Sequence, residues 1–198
     1  YISKRFLDIF VIMFFSLLFI PVSIITMLYL FFLDGYPMVI KQTRVGLHGK
    51  NFKMYKFRTM KKDSHDERDD LQEMNKHDGP LFKIDDDPRI INGSKFLRKY
   101  SIDEIPQLIN VIKGEMSMVG PRPLFPEDNY HFNEHYIRRL NVLPGITGLL
   151  QINERNTDDF NIWYKYDLEY IENWSILLDL KIILKTPFSI LSSKIAGK

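Results

Sequence analysis

The sequence contains no cysteine among its 198 residues, which excludes a disulfide framework, a thiol nucleophile and cysteine-ligated zinc. Glycine and proline number only ten each and aromatic residues make up 14%, so collagen-like repeats and extensive disorder are also excluded. The formal net charge of +2 is too small to indicate a nucleic-acid partner. The length and the 45% hydrophobic content predict one folded domain with a real core.

Charged residues are missing from the whole run 9–33. As a helix this run is about 37 Å long, which exceeds the hydrocarbon thickness of a bilayer. It is also longer than the apolar part of a cleavable signal peptide. Pro21 removes a backbone donor in the middle of the run, and the hydroxyl of Ser23 can bond the freed backbone groups. We therefore predict a membrane helix that is kinked or broken at Pro21.

Basic residues flank this run on both sides. Lys4 and Arg5 precede it, and eight lysines and arginines without one acidic residue occupy 41–62. Positive flanks stay cytoplasmic, so if both flanks obey that rule the segment is a re-entrant helical hairpin bent at Pro21. A single kinked span with the heavier basic flank inside is the alternative.

The rest of the chain predicts an α+β fold, a helix-rich single domain with a small sheet. If the hairpin forms, residues 1–36 lie in the membrane as a re-entrant helix, and residues 37–198 make up the rest of the same domain. Near the C-terminus, Ile176, Leu180 and Leu184 recur at helical spacing, so an amphipathic helix either lies on the bilayer interface or packs against the core. Because the chain begins at Tyr1 rather than Met, we expect it to be a piece of a longer one. The expected strands are 39–40, 52–60 and 116–119, and the expected helices are 94–100, 103–113, 129–142 and 160–172.

Two adjacent carboxylates, Asp103 and Glu104, stand where a helix is expected to begin. Their pairing with Ser101 is typical of an N-terminal capping box, in which neither carboxylate has a chemical role. Paired carboxylates beside free backbone amides also suit Mg²⁺ and a phosphate. The expected apolar face of that helix comprises Ile105, Leu108, Ile109 and Ile112.

Three cations are candidates for holding phosphate groups. Strand alternation places Lys56 and Arg58 on one apolar face, where each charge needs a partner. Arg122 lies between Pro121 and Pro123, so a stiff loop presents it at low entropic cost. The alternatives are a surface strand with snorkelling side chains and an ordinary tight turn.

An acidic stretch at 63–87 ends in Asp85-Asp86-Asp87 before Pro88. This triplet is either a metal-binding turn like that of nucleotide-sugar transferases or a simple turn initiated before the proline.

Several longer motifs occur together and in a fixed order. With them the chain resembles the bacterial sugar transferase family, the monotopic phosphoglycosyl transferases, over almost its whole length. The motifs are Lys4-Arg5 with Asp8-Ile9, the run interrupted by Pro21, Lys56-Phe57-Arg58-Thr59-Met60, Asp87-Pro88-Arg89, Ser101-Ile102-Asp103-Glu104-Ile105-Pro106-Gln107, Met116-Ser117-Met118-Val119-Gly120-Pro121-Arg122-Pro123, Pro144-Gly145-Ile146-Thr147-Gly148 and Leu178-Asp179-Leu180-Lys181.

The resemblance implies a transferase of the bacterial inner membrane, with residues 1–36 as the re-entrant membrane helix and 37–198 as the catalytic part of the same domain on the cytoplasmic face. In that family an aspartate attacks the β-phosphate of a UDP-sugar with Mg²⁺ bound, UMP leaves, and undecaprenyl phosphate then takes the phosphosugar from the enzyme. Asp103 matches the nucleophile, Glu104 its metal-binding neighbour and Arg98 a phosphate-contacting arginine. The implied partners are a UDP-sugar, undecaprenyl phosphate and membrane lipid, and a homo-oligomer is left open.

The resemblance weakens after Gly148, where family members carry an aromatic residue and then a Gly-Arg pair. Here Glu154 replaces the small residue before Arg155, so nucleotide binding by Arg155 is expected less strongly than chemistry at Asp103. Two other functions remain open: a metal-dependent glycosyltransferase that uses Asp85 to Asp87 and releases UDP, and a non-catalytic scaffold on the membrane surface.

Overall fold

A computed structural model describes residues 2–62, 64, 84, 87–128, 134–155, 157 and 159–192. This part of the chain is helix-rich with two small sheets, as the sequence predicts. The helices are α1 (Ile2–Asp34), α2 (Lys95–Lys99), α3 (Leu108–Lys113), α4 (Glu134–Ile137), α5 (Leu149–Asn153), α6 (Phe160–Glu172) and α7 (Ile176–Leu191). The strands are β1 (Val39–Val45), β2 (Asn51–Phe57), β3 (Ser117–Val119) and β4 (Gly145–Thr147), and 3-10 segments span Leu47–Gly49, Ile102–Gln107 and Arg138–Asn141.

Helix α1 is long and apolar enough to cross a membrane. It runs as one helix of 33 residues with Pro21 inside it, so neither the break at Pro21 nor the hairpin is visible. The Ser23 side chain makes no hydrogen bond within the described chain. Burial in α1 is confined to its two ends, and none of the residues 13–25 is buried.

The N-terminal end of α1 is fixed by polar contacts to the body of the protein. Lys4 Nζ lies 2.7 Å from Oδ2 of Asp179 on α7. Oδ1 of Asp8 accepts hydrogen bonds of 2.9 Å from the hydroxyl of Ser117 and from the backbone N–H of Met118, both on β3. The central core lies around this end of the helix; its buried members include Val11, Ile12, Met54, Val111, Met116, Val119, Tyr170 and Ile182.

The C-terminal end of α1 is fixed to the same body. Arg58, just after β2, donates to the carbonyl oxygens of Asp34 and Gly35 at 2.9 Å and pairs with the Asp34 carboxylate. Leu30 is buried against Phe57 and Leu97 in a second, smaller core cluster. Both ends of α1 are therefore attached to one folded unit, and only the middle of the helix is free of it.

The four strands form two separate two-stranded sheets. β1 and β2 form an antiparallel hairpin, whereas β3 and β4 form a short parallel pair. At the end of this pair the backbones of Gly120 and Gly145 approach so closely that a Cβ on Gly145 would lie 2.1 Å from the Gly120 nitrogen. Glycine is required there, and the contact fixes the start of the loop that carries Arg122.

Several predicted elements differ from the structure. The expected helix 103–113 is divided into a 3-10 segment and α3, because Pro106 cannot supply an N–H to a regular α-helix. The expected apolar face is wrong at two of its four members: Ile105 and Leu108 pack against the core, but Ile109 and Ile112 are exposed. The buried neighbours are Asn110 and Val111. Of the expected helix 129–142, residues 134–142 lie within the described part and 134–141 are helical, and β4 forms where the sequence indicates a turn.

Helix α7 packs against the core, which is one of the two alternatives predicted for it. Asp179, Ile182 and Ser189 are buried against the core. The opposite face exposes an apolar stripe of Leu177, Leu180, Leu184, Phe188 and Leu191.

Candidate active site

The two carboxylates predicted to carry the chemistry lie in the 3-10 segment Ile102–Gln107. Asp103 and Glu104 are only 2% and 7% exposed, so neither is a solvated surface charge. Ser101, immediately before them, has a left-handed backbone with φ of 56° and makes no capping hydrogen bond. The capping-box alternative is therefore wrong, and the burial of two adjacent carboxylates requires another explanation.

Lys56 provides one part of that explanation. It projects from β2, which packs directly on the 3-10 segment, and its Nζ lies 2.8 Å from Oδ2 of Asp103 and 3.8 Å from Oε1 of Glu104. The Lys56 side chain is 15% exposed, so solvent screens this pair only weakly. A single cation thus contacts both carboxylates.

Arg122 provides the second part. Its Nη2 lies 2.8 Å from Oε1 of Glu104. Burial alone would raise the pKa of Glu104, but the charges of Arg122 and Lys56 and the hydrogen bond from Arg122 outweigh it and lower the pKa to about 2. In turn Glu104 raises the pKa of Arg122. Glu104 is therefore ionised at any physiological pH.

Arg155 approaches the site from the end of α5 without touching either carboxylate. Its Nη2 donates to the hydroxyl of Ser101 at 2.6 Å. Burial lowers the pKa of Arg155, and the charges of Glu104 and Asp103 act in the opposite direction. Arg155 therefore adds a third positive charge beside the carboxylate pair.

Arg98, on α2, lines the same cavity as Lys56. Its Nη1 is 3.5 Å from the Thr59 hydroxyl, and both residues line a cavity of about 770 Å³. A volume of this size is typical of small-molecule sites. The cavity wall is basic on several sides, with Lys41, Lys56, Arg58, Lys61, Lys62 and Arg98 among its lining residues.

Arg58 does not join the carboxylate pair. β2 ends at Phe57, so the strand alternation that should place Arg58 beside Lys56 stops one residue short of it. Its guanidinium is 4% exposed and contacts the end of α1. The structure thus gives Arg58 a structural contact, while its phosphate-binding role stays a prediction.

The alternative metal turn lies mostly outside the described residues, since Asp85 and Asp86 belong to the part that is not described. The Asp87 carboxylate is paired with the side chain of Arg89 through contacts of 2.6 and 2.9 Å. Both carboxylate oxygens of Asp87 are therefore already paired with Arg89.

The carboxylate pair fits a magnesium ion by its donor chemistry. Lys56 and Arg122 contact Oδ2 of Asp103 and Oε1 of Glu104, and the other oxygen of each carboxylate makes no hydrogen bond or ion pair to a described residue. Mg²⁺ usually takes one or two protein carboxylates and completes its shell with water and substrate phosphate. No cluster of three or more acidic, histidine or cysteine ligands occurs among the described residues.

One positioning residue escaped the sequence analysis. Asn110 on α3 is fully buried; its Oδ1 accepts from the Tyr55 N–H at 3.0 Å and its Nδ2 donates to the Lys53 carbonyl at 2.8 Å. The amide thus continues the hydrogen bonding of β2 and fixes the strand against α3. In the sequence, this role could have been suspected from the single amide residue within the otherwise mostly apolar sequence of α3.

The comparison with known families agrees with this geometry. The family described as bacterial sugar transferase matches residues 1–193. The chain belongs to that family. The match covers both ends of α1, the carboxylate pair and the arginine loop, so the polar contacts described above lie within the matched region.

Relatives of this sugar transferase differ in length. It is 49% identical over 154 residues to the galactosyl transferase CpsE of Streptococcus agalactiae, covering 77% of this chain and 34% of that relative. It is 44% identical over 160 residues to the sugar transferase EpsL of Bacillus subtilis, covering 81% and 73%. It is 40% identical over 161 residues to the undecaprenyl-phosphate galactose phosphotransferase of Salmonella typhimurium, covering 77% and 33%. The chain thus spans about a third of the length of the first and third of these relatives.

Proposed function

We propose that the chain is a phosphoglycosyl transferase that moves a sugar-1-phosphate from a UDP-sugar to undecaprenyl phosphate and so initiates surface glycan assembly. The observation that carries this proposal is the buried Asp103 carboxylate, held at 2.8 Å by Lys56 and adjacent to the Glu104–Arg122 pair. A fixed orientation of this kind suits a nucleophile. The name of the Salmonella relative, an undecaprenyl-phosphate galactose phosphotransferase, supports the same substrate class.

The proposed reaction has two displacements at one phosphorus. An oxygen of Asp103 attacks the β-phosphorus of the UDP-sugar, the bond to the bridging oxygen breaks, and UMP leaves with the bonding electrons. An oxygen of undecaprenyl phosphate then attacks the same phosphorus and releases the Asp103 carboxylate. Splitting the transfer in this way lets the two substrates bind in turn.

The surrounding cations have distinct parts in this proposal. Lys56 orients the attacking carboxylate, and Arg122, Arg98 and Arg155 neutralise the phosphate oxygens. Mg²⁺ held by Asp103 and Glu104 would supply further charge neutralisation at the diphosphate. The basic cavity beside Lys56 has room for the nucleotide sugar.

A re-entrant membrane hairpin at α1 is the second part of the proposal. A straight helix of 33 residues is about 50 Å long, and one that crossed a bilayer would deliver its ends to opposite faces. Here Lys4 contacts Asp179, and Asp34 at the other end contacts Arg58, so one folded unit holds both ends. This arrangement supports entry and exit on one face, the cytoplasmic one, with the bend at Pro21.

The exposed apolar stripe of α7 completes the proposed membrane contact. Leu177, Leu184, Phe188 and Leu191 are all more than two thirds exposed, and Lys181 and Lys185 lie beside them on the same helix. Apolar residues flanked by lysines suit an interfacial helix on anionic lipid. The acceptor lipid would then reach Asp103 without leaving the bilayer surface.

The released nucleotide tests this function against its alternatives. Purified protein in lipid nanodiscs is incubated with undecaprenyl phosphate, Mg²⁺ and each of a panel of UDP-sugars, and nucleotide products are separated by chromatography. We expect UMP with one or a few sugars. Release of UDP would indicate a glycosyltransferase, and absence of turnover with every sugar would indicate a scaffold.

A further inference from the structure

The loop that presents Arg122 belongs to no helix or strand, so its own backbone contacts must hold it in place. Pro121 and Pro123 restrict the backbone on both sides of Arg122. The direction of the Arg122 carbonyl is then set by the backbone conformation of Arg122 itself. That carbonyl accepts a hydrogen bond of 2.7 Å from Nη2 of Arg139. Arg139 is only 5% exposed.

Arg139 is itself held by a buried carboxylate on α6. Its Nη2 lies 2.9 Å from Oδ2 of Asp167, and the two side chains are 5% and 8% exposed. Burial raises the pKa of Asp167 to about 6, against the opposing charge of Arg139. Burying such a pair costs desolvation energy that apolar residues would not incur, so the pair has no evident advantage as a stabilising element alone.

We propose that the Arg139–Asp167 pair is a positioning device that sets the Arg122 guanidinium on Glu104. One nitrogen of Arg139 links the carboxylate of α6 to the backbone of Arg122, whose side chain lies 2.8 Å from Glu104. Without that donor, the Arg122 backbone turns and its guanidinium leaves the carboxylate pair. This role rests on the proposed function for its catalytic consequence, but the geometric consequence is independent of it.

The neighbouring residue offers a matched control. Arg138 comes from the same 3-10 segment and also forms an ion pair with α6, at 2.9 Å from Glu172. These two side chains are 44% and 52% exposed, and within the described chain Arg138 has no hydrogen bond to the Arg122 loop. The two arginines thus differ in burial and in their contact with that loop.

The test compares Arg139→Met, Arg139→Lys and Arg138→Met in the full chain in nanodiscs. We expect kcat/KM for UMP release to fall between about 10-fold and 100-fold in Arg139→Met, the cost of misplacing a transition-state contact. Arg139→Lys should recover part of the loss, because a lysine ammonium can donate to both acceptors, and Arg138→Met should stay within twofold of wild type. In an Arg122→Met background, adding Arg139→Met should cost nothing further, because the two residues act in series.

Crystal structures of the same variants give a readout that does not depend on activity. In Arg139→Met or, where that variant does not fold, in the replacement of the whole pair by Arg139→Met with Asp167→Leu, which leaves no unpaired buried charge, the contact between Arg122 and Glu104 should be lost or lengthened, and in Arg138→Met it should stay. Retention of the contact in Arg139→Met or in the pair replacement, or independent multiplicative losses when Arg122→Met and Arg139→Met are combined, would overturn the proposal. If wild-type protein releases no UMP, the proposed function fails while the crystal structures still decide the positioning role.

Discussion

Lys56 Nζ lies 2.8 Å from Oδ2 of Asp103, across the interface between β2 and the 3-10 segment. The ion pair joins a strand residue to a carboxylate 47 positions later in the chain, so it exists only in the folded protein. It holds one oxygen of Asp103, and the other oxygen makes no hydrogen bond or ion pair to a described residue. In the proposed reaction, Lys56 thereby orients the Asp103 carboxylate for attack.

Replacement of Lys56 by methionine should therefore slow the first chemical step more than it weakens substrate binding. Removing a preorganised charge from a buried site costs about 100-fold in rate, and we expect a loss of that order in the UMP burst measured by rapid quench. Lys53→Met is the matched control, because Lys53 lies on the same strand and, within the described part of the chain, its side chain bonds only the Thr43 hydroxyl at the surface. Equal burst rates in the two variants would remove Lys56 from the mechanism.

Arg122→Lys and Arg98→Lys should each lose activity although the charge is kept. The planar guanidinium offers several donors in a fixed fork, and the ammonium of lysine does not. We expect a loss of at least about tenfold in kcat/KM for the Arg122 variant, with unchanged thermal unfolding. Wild-type turnover in both variants would assign these arginines to surface or loop roles.

The carboxylate pair was predictable from sequence because Asp103 and Glu104 are neighbours in the chain and share one short segment. What the sequence left open was whether they cap a helix. The answer depends on Ser101, whose backbone is left-handed and whose hydroxyl accepts a hydrogen bond from Arg155. That hydrogen bond is a tertiary contact with the end of α5. No local pattern contains that information.

Arg58 and Ile109 illustrate the limits of periodicity. In the sequence, Arg58 fits the two-residue period of β2. In the structure the strand ends at Phe57, and the guanidinium of Arg58 donates to a carbonyl at the end of α1. Ile109 belongs to an apolar helical face, yet Asn110 and Val111 are the buried residues. An apolar helical face indicates burial in a protein core only when water is the sole alternative environment for those side chains. In a protein proposed to lie on lipid, the membrane is a further environment for them.

Acid should weaken the folded state through Glu104. Its pKa is lowered from the usual 4.5 to about 2 in the folded protein, so the ionised form contributes stability that is present above 4.5 and lost as pH falls through about 2. The stability difference between wild type and Glu104→Gln should shrink across that window in denaturant titrations. Glu172→Gln, which alters an exposed ion pair, should not change with pH in this way.

The re-entrant arrangement predicts that both ends of α1 lie on the cytoplasmic face of the membrane. Tags placed before Lys4 and after Lys62 should be protected from membrane-impermeant labelling of intact cells. Pro21→Leu restores the missing backbone donor and removes the ring clash, so it should favour a straight spanning helix and expose the N-terminal tag. Labelling of that tag in the wild-type protein would contradict the hairpin.

The covalent step makes the sharpest prediction, because direct transfer and two-step transfer differ before any lipid is added. If Asp103 is the nucleophile, the UDP-sugar and Mg²⁺ alone should release one equivalent of UMP and leave the enzyme heavier by one phosphosugar in intact mass spectrometry. Asp103→Asn keeps the size of the side chain but removes the anionic nucleophile, so it should abolish both the adduct and turnover. Glu104→Gln keeps the nucleophile and weakens the proposed metal site, and its activity should recover in part at higher Mg²⁺. A structural role for Asp103 predicts instead a loss of about 1 kcal/mol of stability in Asp103→Asn with little loss of activity, and an adduct mapped to another residue would overturn the assignment outright.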